Sequence, residues 1–232
     1  MAKREEDMFY VGGSKGGVGK SLTSIAAIDA FQRQGRRILL IDADEANPDV
    51  LKAYESQNDT VTGYALNLND KNEWAKLIDI IEQYPDHVVV VNSAAGALKA
   101  AMARAAMLQK ALPELNRTLT ILWPINRQRD GLEAVADFLE VLDEVKVHIV
   151  RNGHFGEEHK FELYNSSKLR QTIEARGGKS LLLPELADRV ADEIYTNRVA
   201  INTAVKTMST GARVELIRWR DEVEAMFAEI LA

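Results

Sequence analysis

The sequence predicts a doubly wound α/β protein, with a predominantly parallel sheet covered by helices on both faces and a helical C-terminal segment. Two patterns carry that prediction. Short β-branched runs alternate with longer segments of helical period, as strands joined by crossover helices do. The runs themselves, such as 88–91, are apolar at every position rather than at every second one, which a strand buried on both faces requires. The size agrees: 232 residues, 46% hydrophobic and 28% charged, suffice for a large core, and α/β folds of this length often form one unit. A single domain over 1–232 is therefore expected.

In chain order, strands are expected at 8–12, 37–42, 61–67, 87–92, 118–123 and 146–151, with a weaker one at 180–183. Helices are expected between them at 21–34, 49–55, 70–84, 98–112, 129–144 and 167–175. Each helical window repeats its apolar residues at three- and four-residue steps. The chain from Asp188 onward reads as helical throughout and ends in a long helix near 212–231. There Leu216, Trp219, Val223, Phe227 and Ile230 fall on one stripe. The longest polar stretch, 152–165, is expected to be a mobile loop or a short hairpin through 160–164.

Composition excludes several function classes. With no cysteine there is no disulfide scaffold, no thiolate-held zinc or iron–sulfur site, and no thiol nucleophile. Lys and Arg number 29 against 35 Asp and Glu, a net charge of −6, and each half of the chain carries −3. Contact with DNA or an anionic membrane must then come from a local patch, because the mean field repels phosphate. No apolar run is long enough to span a bilayer, and residues 1–7 lack the apolar stretch of a secretory signal. A cytoplasmic protein is expected.

The chemistry is concentrated after the first strand. Gly12-Gly13-Ser14-Lys15-Gly16-Gly17-Val18-Gly19-Lys20-Ser21 leads directly into a helix-forming run. Glycines let successive backbone N–H groups face inward and remove side chains that would keep a phosphate away. The helix N-terminus adds its positive dipole end. Lys20 is then placed to reach the β- and γ-phosphates, Ser21 to ligate Mg²⁺, and Gly16, Gly17, Val18, Gly19 and Leu22 to line the nucleotide. A motif of the form KGGxGK[ST] arises by chance in roughly one chain of this length in 10⁴ to 10⁵. Ser14 stands where the generic G-x-x-x-x-G-K-[ST] pattern has its first glycine.

Lys15 is not required by the generic loop. With it, the run resembles the deviant phosphate loop (deviant Walker A) of the ParA/MinD family, P-loop NTPases of the SIMIBI type. In that family the extra lysine crosses a dimer interface to the nucleotide of the other subunit. The resemblance implies an ATP- and Mg²⁺-dependent homodimer with two nucleotides sandwiched between subunits; a lysine solvated on the loop rim is the simpler alternative. After the second strand, Asp42-Ala43-Asp44 is similar to the family's first switch. A strand's alternation would point both carboxylates to one side. By that resemblance Asp42 sits near Mg²⁺ and Ser21, and Asp44 orients the attacking water, which is most of what phosphoryl transfer asks of a protein.

The fourth strand ends Asn92-Ser93-Ala94-Ala95-Gly96, where the family's second switch begins with Asp. Asn92 can accept a hydrogen bond from a metal-bound water but supplies no charge. Weaker Mg²⁺ dependence and slow hydrolysis are expected, or a transfer of the acid's role to Asp42 or Asp44. The fifth strand leads through Pro124 to Asp130, again similar to the family. The sixth ends Arg151-Asn152-Gly153; Asn152 is the candidate reader of the adenine edge, and an Asn-Gly turn is the competing account. Leu183-Pro184-Glu185 and Arg189 resemble the family's segment near the base. Arg213, Arg218 and Arg220 in the last helix are interleaved with Glu215, Asp221, Glu222 and Glu224. An ion-paired face is the expectation there, with non-specific DNA binding as the alternative. The four histidines show no metal spacing.

The expected function is an ATPase of the ParA/MinD type that positions or segregates cargo, a plasmid or conjugation complex, with an adaptor protein as partner. The alternatives are a regulator that responds to nucleotide occupancy with little hydrolysis, and a synthetase of the dethiobiotin or cobyrinate type.

Overall fold

A computed structural model of the chain describes residues 6–13, 15–45, 47–55, 60–141 and 145–231. The elements follow in the order β1 (Glu6–Val11), α1 (Lys20–Arg33), β2 (Ile38–Asp42), α2 (Asp49–Tyr54), β3 (Val61–Ala65), α3 (Glu73–Gln83) and β4 (Val88–Asn92). Then come α4 (Leu98–Glu114), β5 (Arg117–Ile125), α5 (Arg129–Val141) and β6 (Lys146–Asn152). After two 3₁₀ turns (Gly153–Phe155 and Glu158–Lys160) the chain runs through α6 (Glu162–Asn165), α7 (Lys168–Ala175), β7 (Ser180–Leu183), α8 (Asp188–Asn197), α9 (Ile201–Thr207) and α10 (Thr210–Leu231).

Every pairing in the seven-stranded sheet is parallel, in the order β3-β2-β4-β1-β5-β6-β7. The fold is the doubly wound α/β sheet that the alternating pattern predicts. Its period-2 geometry divides the apolar residues between two cores. On β1, Phe9 and Val11 face the core under α1, α9 and α10, while Met8 and Tyr10 face the core under α3, α4 and α5. The strands on both sides of β1 divide the same way, Val88 and Val90 to the first core and Val89 and Val91 to the second. That is why these runs are apolar at every position.

Parallel pairing also lines up the strand ends. Val11 and Asp42 both pair with Asn92, and Asn152 closes β6 on the same edge. The chain leaves β1 toward β2 on one side and later crosses to β5 on the other, so the strand order reverses at β1. A crevice outside the carboxyl ends of the strands at such a reversal is where open α/β sheets bind ligands.

The stripe on α10 is buried as its period predicts: Leu216, Trp219, Val223 and Phe227 are wholly covered, and the Phe227 ring lies 5.8 Å from Phe31 of α1. Ion pairs fasten the same two helices. Arg220 holds the fully buried Asp29 through two bonds of 2.8 and 2.9 Å, and Arg33 reaches Asp221 at 2.9 Å and Glu224 at 2.7 Å. Arg218 is held by Glu215 and Glu222, both at 2.7 Å, and by the Glu185 carbonyl.

Several expected boundaries move. β5 extends through Pro124 to Ile125, because proline costs the ladder only a donor. β3 stops at Ala65, and Asn67 turns the chain by accepting from Asn69 N. The far end of the fifth expected helix, 142–144, lies outside the described residues. The hairpin expected through 160–164 does not form. Its alternation has no partner strand, and Phe161 and Tyr164, three apart, plug the second core from 3₁₀ and helical turns. Arg151, 3% exposed, pins this segment by donating to Glu158 at 2.6 Å, to Asn165 and to the Ser180 and Leu181 carbonyls.

Candidate functional site

The turn between β1 and α1 sits at the reversal of the sheet. Gly17 and Gly19 adopt φ of 76° and 103°, a region costly for any residue with a Cβ. A Cβ on Gly19 would also lie 2.3 Å from the Asn152 amide nitrogen. That close approach accounts for Asn152: it is 4% exposed, its Nδ2 donates to the Val18 carbonyl at 3.1 Å, and its Oδ1 accepts from His154 N at 3.1 Å. Asn152 therefore ties β6 to the glycine turn. Ser14, the departure from the generic pattern, lies outside the described residues.

Beside the turn is a cavity of about 440 Å³. Gly16, Gly17, Gly19, Lys20, Ser21 and Leu22 form one end of it, while Val18 is buried beneath. Lys20, at the first residue of α1 and 8% exposed, donates through Nζ to the Lys15 carbonyl at 2.8 Å. Burial pushes its pKa below the ordinary lysine value, and Asp44 pulls the other way. A desolvated ammonium with a neutral partner is an anion receptor, and here it stands at a helix N-terminus. A larger hollow of about 780 Å³ opens at the opposite edge of the sheet among Asp7, Phe31, Thr118 and Ile230. The glycine turn and the N-terminus of α1 belong to the smaller cavity.

The two carboxylates after β2 part company. Asp44 follows the strand and lines the cavity. Asp42 ends the strand, is fully buried, and does not line it. Its Oδ1 accepts from Asn92 Nδ2 at 2.9 Å and from Asp44 N at 3.3 Å, and its Oδ2 from Leu51 N at 3.0 Å. Burial raises its pKa, and those donors oppose the shift. Pointing both carboxylates to one side would need the strand to continue through Asp44, and it stops at Asp42.

Asn92 lines the cavity, yet both ends of its amide are committed: Nδ2 to Asp42 and Oδ1 to the Ser24 hydroxyl at 3.0 Å. A carboxylate in its place would face Asp42 at hydrogen-bond distance in a buried setting, where two acids share a proton. Gly96 follows at φ 80° in the turn entering α4. Lys15 does not line the cavity: it is exposed and forms an ion pair with Asp130 in the first turn of α5, which holds that carboxyl below the usual range.

Sequence reasoning missed the far end of the cavity. His154, Leu186, Asp188, Ala191, Asp192 and Tyr195 line it. The four on α8 recur at three- and four-residue steps, the face signal read so easily in α10, but here the face is mixed rather than apolar. For a metal, the described residues offer no cluster of three or more His, Asp or Glu. Ser21 and Asp44 at the anion end nonetheless suit Mg²⁺, which takes one or two protein oxygens and completes its shell with phosphate and water. Among the described residues no helix is long and apolar enough to cross a membrane.

Comparison with known proteins agrees with this architecture. The profile of the CobQ/CobB/MinD/ParA nucleotide binding domain matches residues 9–227. Protein MobD of Acidithiobacillus ferrooxidans is 46% identical over 231 residues, covering 100% of this chain and 99% of that protein. Among solved structures, the septum site-determining protein MinD of Pyrococcus horikoshii, complexed with Mg-ADP, superimposes with a TM-score of 0.55 at 18% identity, covering 98% of each chain. The MinD cell division protein of Aquifex aeolicus gives 0.52 at 19% identity, over 92% of this chain and 95% of that one. By the extent of the profile match and the MobD identity, this chain belongs to the CobQ/CobB/MinD/ParA nucleotide-binding family.

Proposed function

We propose that the protein binds ATP with Mg²⁺, dimerises around two bound nucleotides, and serves as a slow ATPase switch that positions a plasmid or a conjugation complex. The single observation behind this reading is the placement of Lys20, Ser21 and the amides of Gly16, Gly17 and Gly19 at one end of one cavity. Lys20 and those amides hold the triphosphate, and Ser21 with Asp44 holds Mg²⁺. Mg²⁺ held there would supply neutralisation of the phosphate charge. Asp44, the member of the Asp-x-Asp pair that lines the cavity, orients water; Asp42 acts one layer back, by holding Asn92 and the backbone of Asp44 and Leu51. Lys15 is available to a second subunit once it leaves Asp130. The similarity to Protein MobD along the whole chain supports the family part of this reading and leaves conjugation and partition equally open.

Release of the dimer follows hydrolysis, because ATP binds the dimer better than the monomer and its loss shifts the equilibrium back. Turnover of labelled ATP with Mg²⁺ tests the cycle: wild type is expected to exceed Lys20→Ala clearly, at a low rate. The locked amide of Asn92 favours a second reading, a switch that responds to occupancy and scarcely hydrolyses. If wild type is as slow as Lys20→Ala while Asn92→Asp turns over faster, the hydrolysis-driven cycle is wrong and the occupancy reading stands. Arg220, spent on the buried Asp29, is closed to DNA attachment, whereas Arg218, held only in exposed pairs with Glu215 and Glu222, is not. A filter assay with ATP at several salt concentrations reads it directly.

A further inference from the structure

The nucleotide cavity is lined by charges of both signs. The buried Lys20 ammonium, the glycine amides and the start of α1 offer an anion site, and the carboxylate whose charge acts on Lys20 is Asp44. Asp188 and Asp192, one helical turn apart on α8, line the same cavity. The cavity's other two carboxylates are engaged: Asp49 by Arg198 at 3.2 Å, and Asp44 by the Asn47 amide at 3.3 Å. Asp188 and Asp192 meet no cation and no hydrogen-bond donor among the described residues.

Unpaired carboxylates facing a phosphate-binding cavity repel the phosphates, so some other part of the ligand must lie against them. A carboxylate only accepts hydrogen bonds. A nucleotide has two kinds of donor beyond its phosphates: the vicinal ribose hydroxyls and the amine edge of the base. Adenine's edge places an acceptor nitrogen beside its amine, which would oppose a carboxylate, whereas a diol presents two donors and no obligatory clash. Ala191, between the two acids in sequence, together with Leu186 and Tyr195, supplies the apolar wall that a flat base requires. Asn152, the sequence's candidate for the base, also lines the cavity and keeps a second amide N–H beyond the one it gives Val18, so the base edge has a partner other than the acids.

We propose that Asp188 and Asp192 take the ribose hydroxyls of the bound nucleotide, so that the site selects ribonucleotides over deoxyribonucleotides. This deepens the ATP-binding reading above and rests on it. The selection is a ratio of affinities for two ligands of equal charge, so general repulsion by the acids cancels from it.

The test is calorimetric titration of the full chain with Mg²⁺ and ATP, 2′-deoxy-ATP, 3′-deoxy-ATP or GTP, using wild type, Asp188→Ala, Asp192→Ala and the double variant. Both sites are exposed helix positions where alanine preserves the helix. Hydrogen bonds to charged groups predict that wild type prefers ATP to at least one deoxy analogue by about tenfold or more, and that the double variant loses most of that preference. Equal affinity of wild type for ATP and both deoxy analogues overturns the proposal while leaving the nucleotide site intact. So does a preference unchanged in the double variant. A variant that alters the ATP-to-GTP ratio but not the ribo-to-deoxy ratio assigns the acids to the base edge and also overturns it. If wild type binds none of the four, the ATP-binding reading fails and this proposal with it.

Discussion

Two lysines five residues apart on one glycine turn have opposite surroundings. Lys20 is 8% exposed, desolvated, and fixed at the start of a helix with its ammonium at the anion end of a cavity. Lys15 is 49% exposed and pairs with an Asp130 that is itself 59% exposed. An inward cation cannot be released without refolding the turn. An exposed pair is screened and contributes little, so a better partner can take either member. Depth of burial thus separates a lysine built into its own site from one whose ammonium a competing partner can take.

The same depth rule predicts how each ion pair responds to mutation. Asp29–Arg220 is the buried counterpart of Lys15–Asp130. Asp29→Ala strands the Arg220 guanidinium between α1 and α10 and should cost about 3–5 kcal/mol in denaturant unfolding; a loss close to zero would break the comparison. Lys20→Ala should weaken ATP binding about a hundredfold or more, since it removes a charge-assisted contact from a desolvated site. Calorimetry checks this, and the pH dependence sharpens it. The free site holds Lys20 with a lowered pKa, and an anion favours the charged form. Affinity should therefore begin to fall as pH rises through a range below the ordinary lysine value, with proton uptake on binding; a flat profile up to the ordinary value would contradict the desolvation. Smallest of all, Asp130→Ala should leave the unfolding midpoint of the isolated chain almost unchanged and raise ATP-dependent dimer formation a few-fold, measured by light scattering.

The glycine turn and the strands were legible because their signals are local. A glycine turn, its lysine and the helix that follows are contiguous, and strand burial is written in 88–91 residue by residue. What escaped depends on contacts between distant segments. Asn152 meets Val18 across 134 positions while also lining the cavity, and nothing in Asn-Gly announces that contact. Asp42 and Asp44 look equivalent in sequence, yet the strand ends between them, burying one and leaving the other at the cavity. Phe161 and Leu163 mimic a strand's alternation, but the buried pair is Phe161 and Tyr164, three apart, as a helical turn places them. The face of α8 that lines the cavity mixes Asp, Ala and Tyr, so its period carries no apolar stripe to find.

One experiment separates the two lysines most directly: sedimentation velocity with and without Mg-ATP on wild type and Lys15→Ala, paired with ATP titration of both. Wild type should pass from monomer to dimer on adding Mg-ATP. Lys15→Ala should bind ATP within about threefold of wild type and remain a monomer. Dimerisation of Lys15→Ala as complete as that of wild type, or loss of its ATP binding along with its dimer, would contradict the assignment of Lys20 to its own site and Lys15 to its neighbour's.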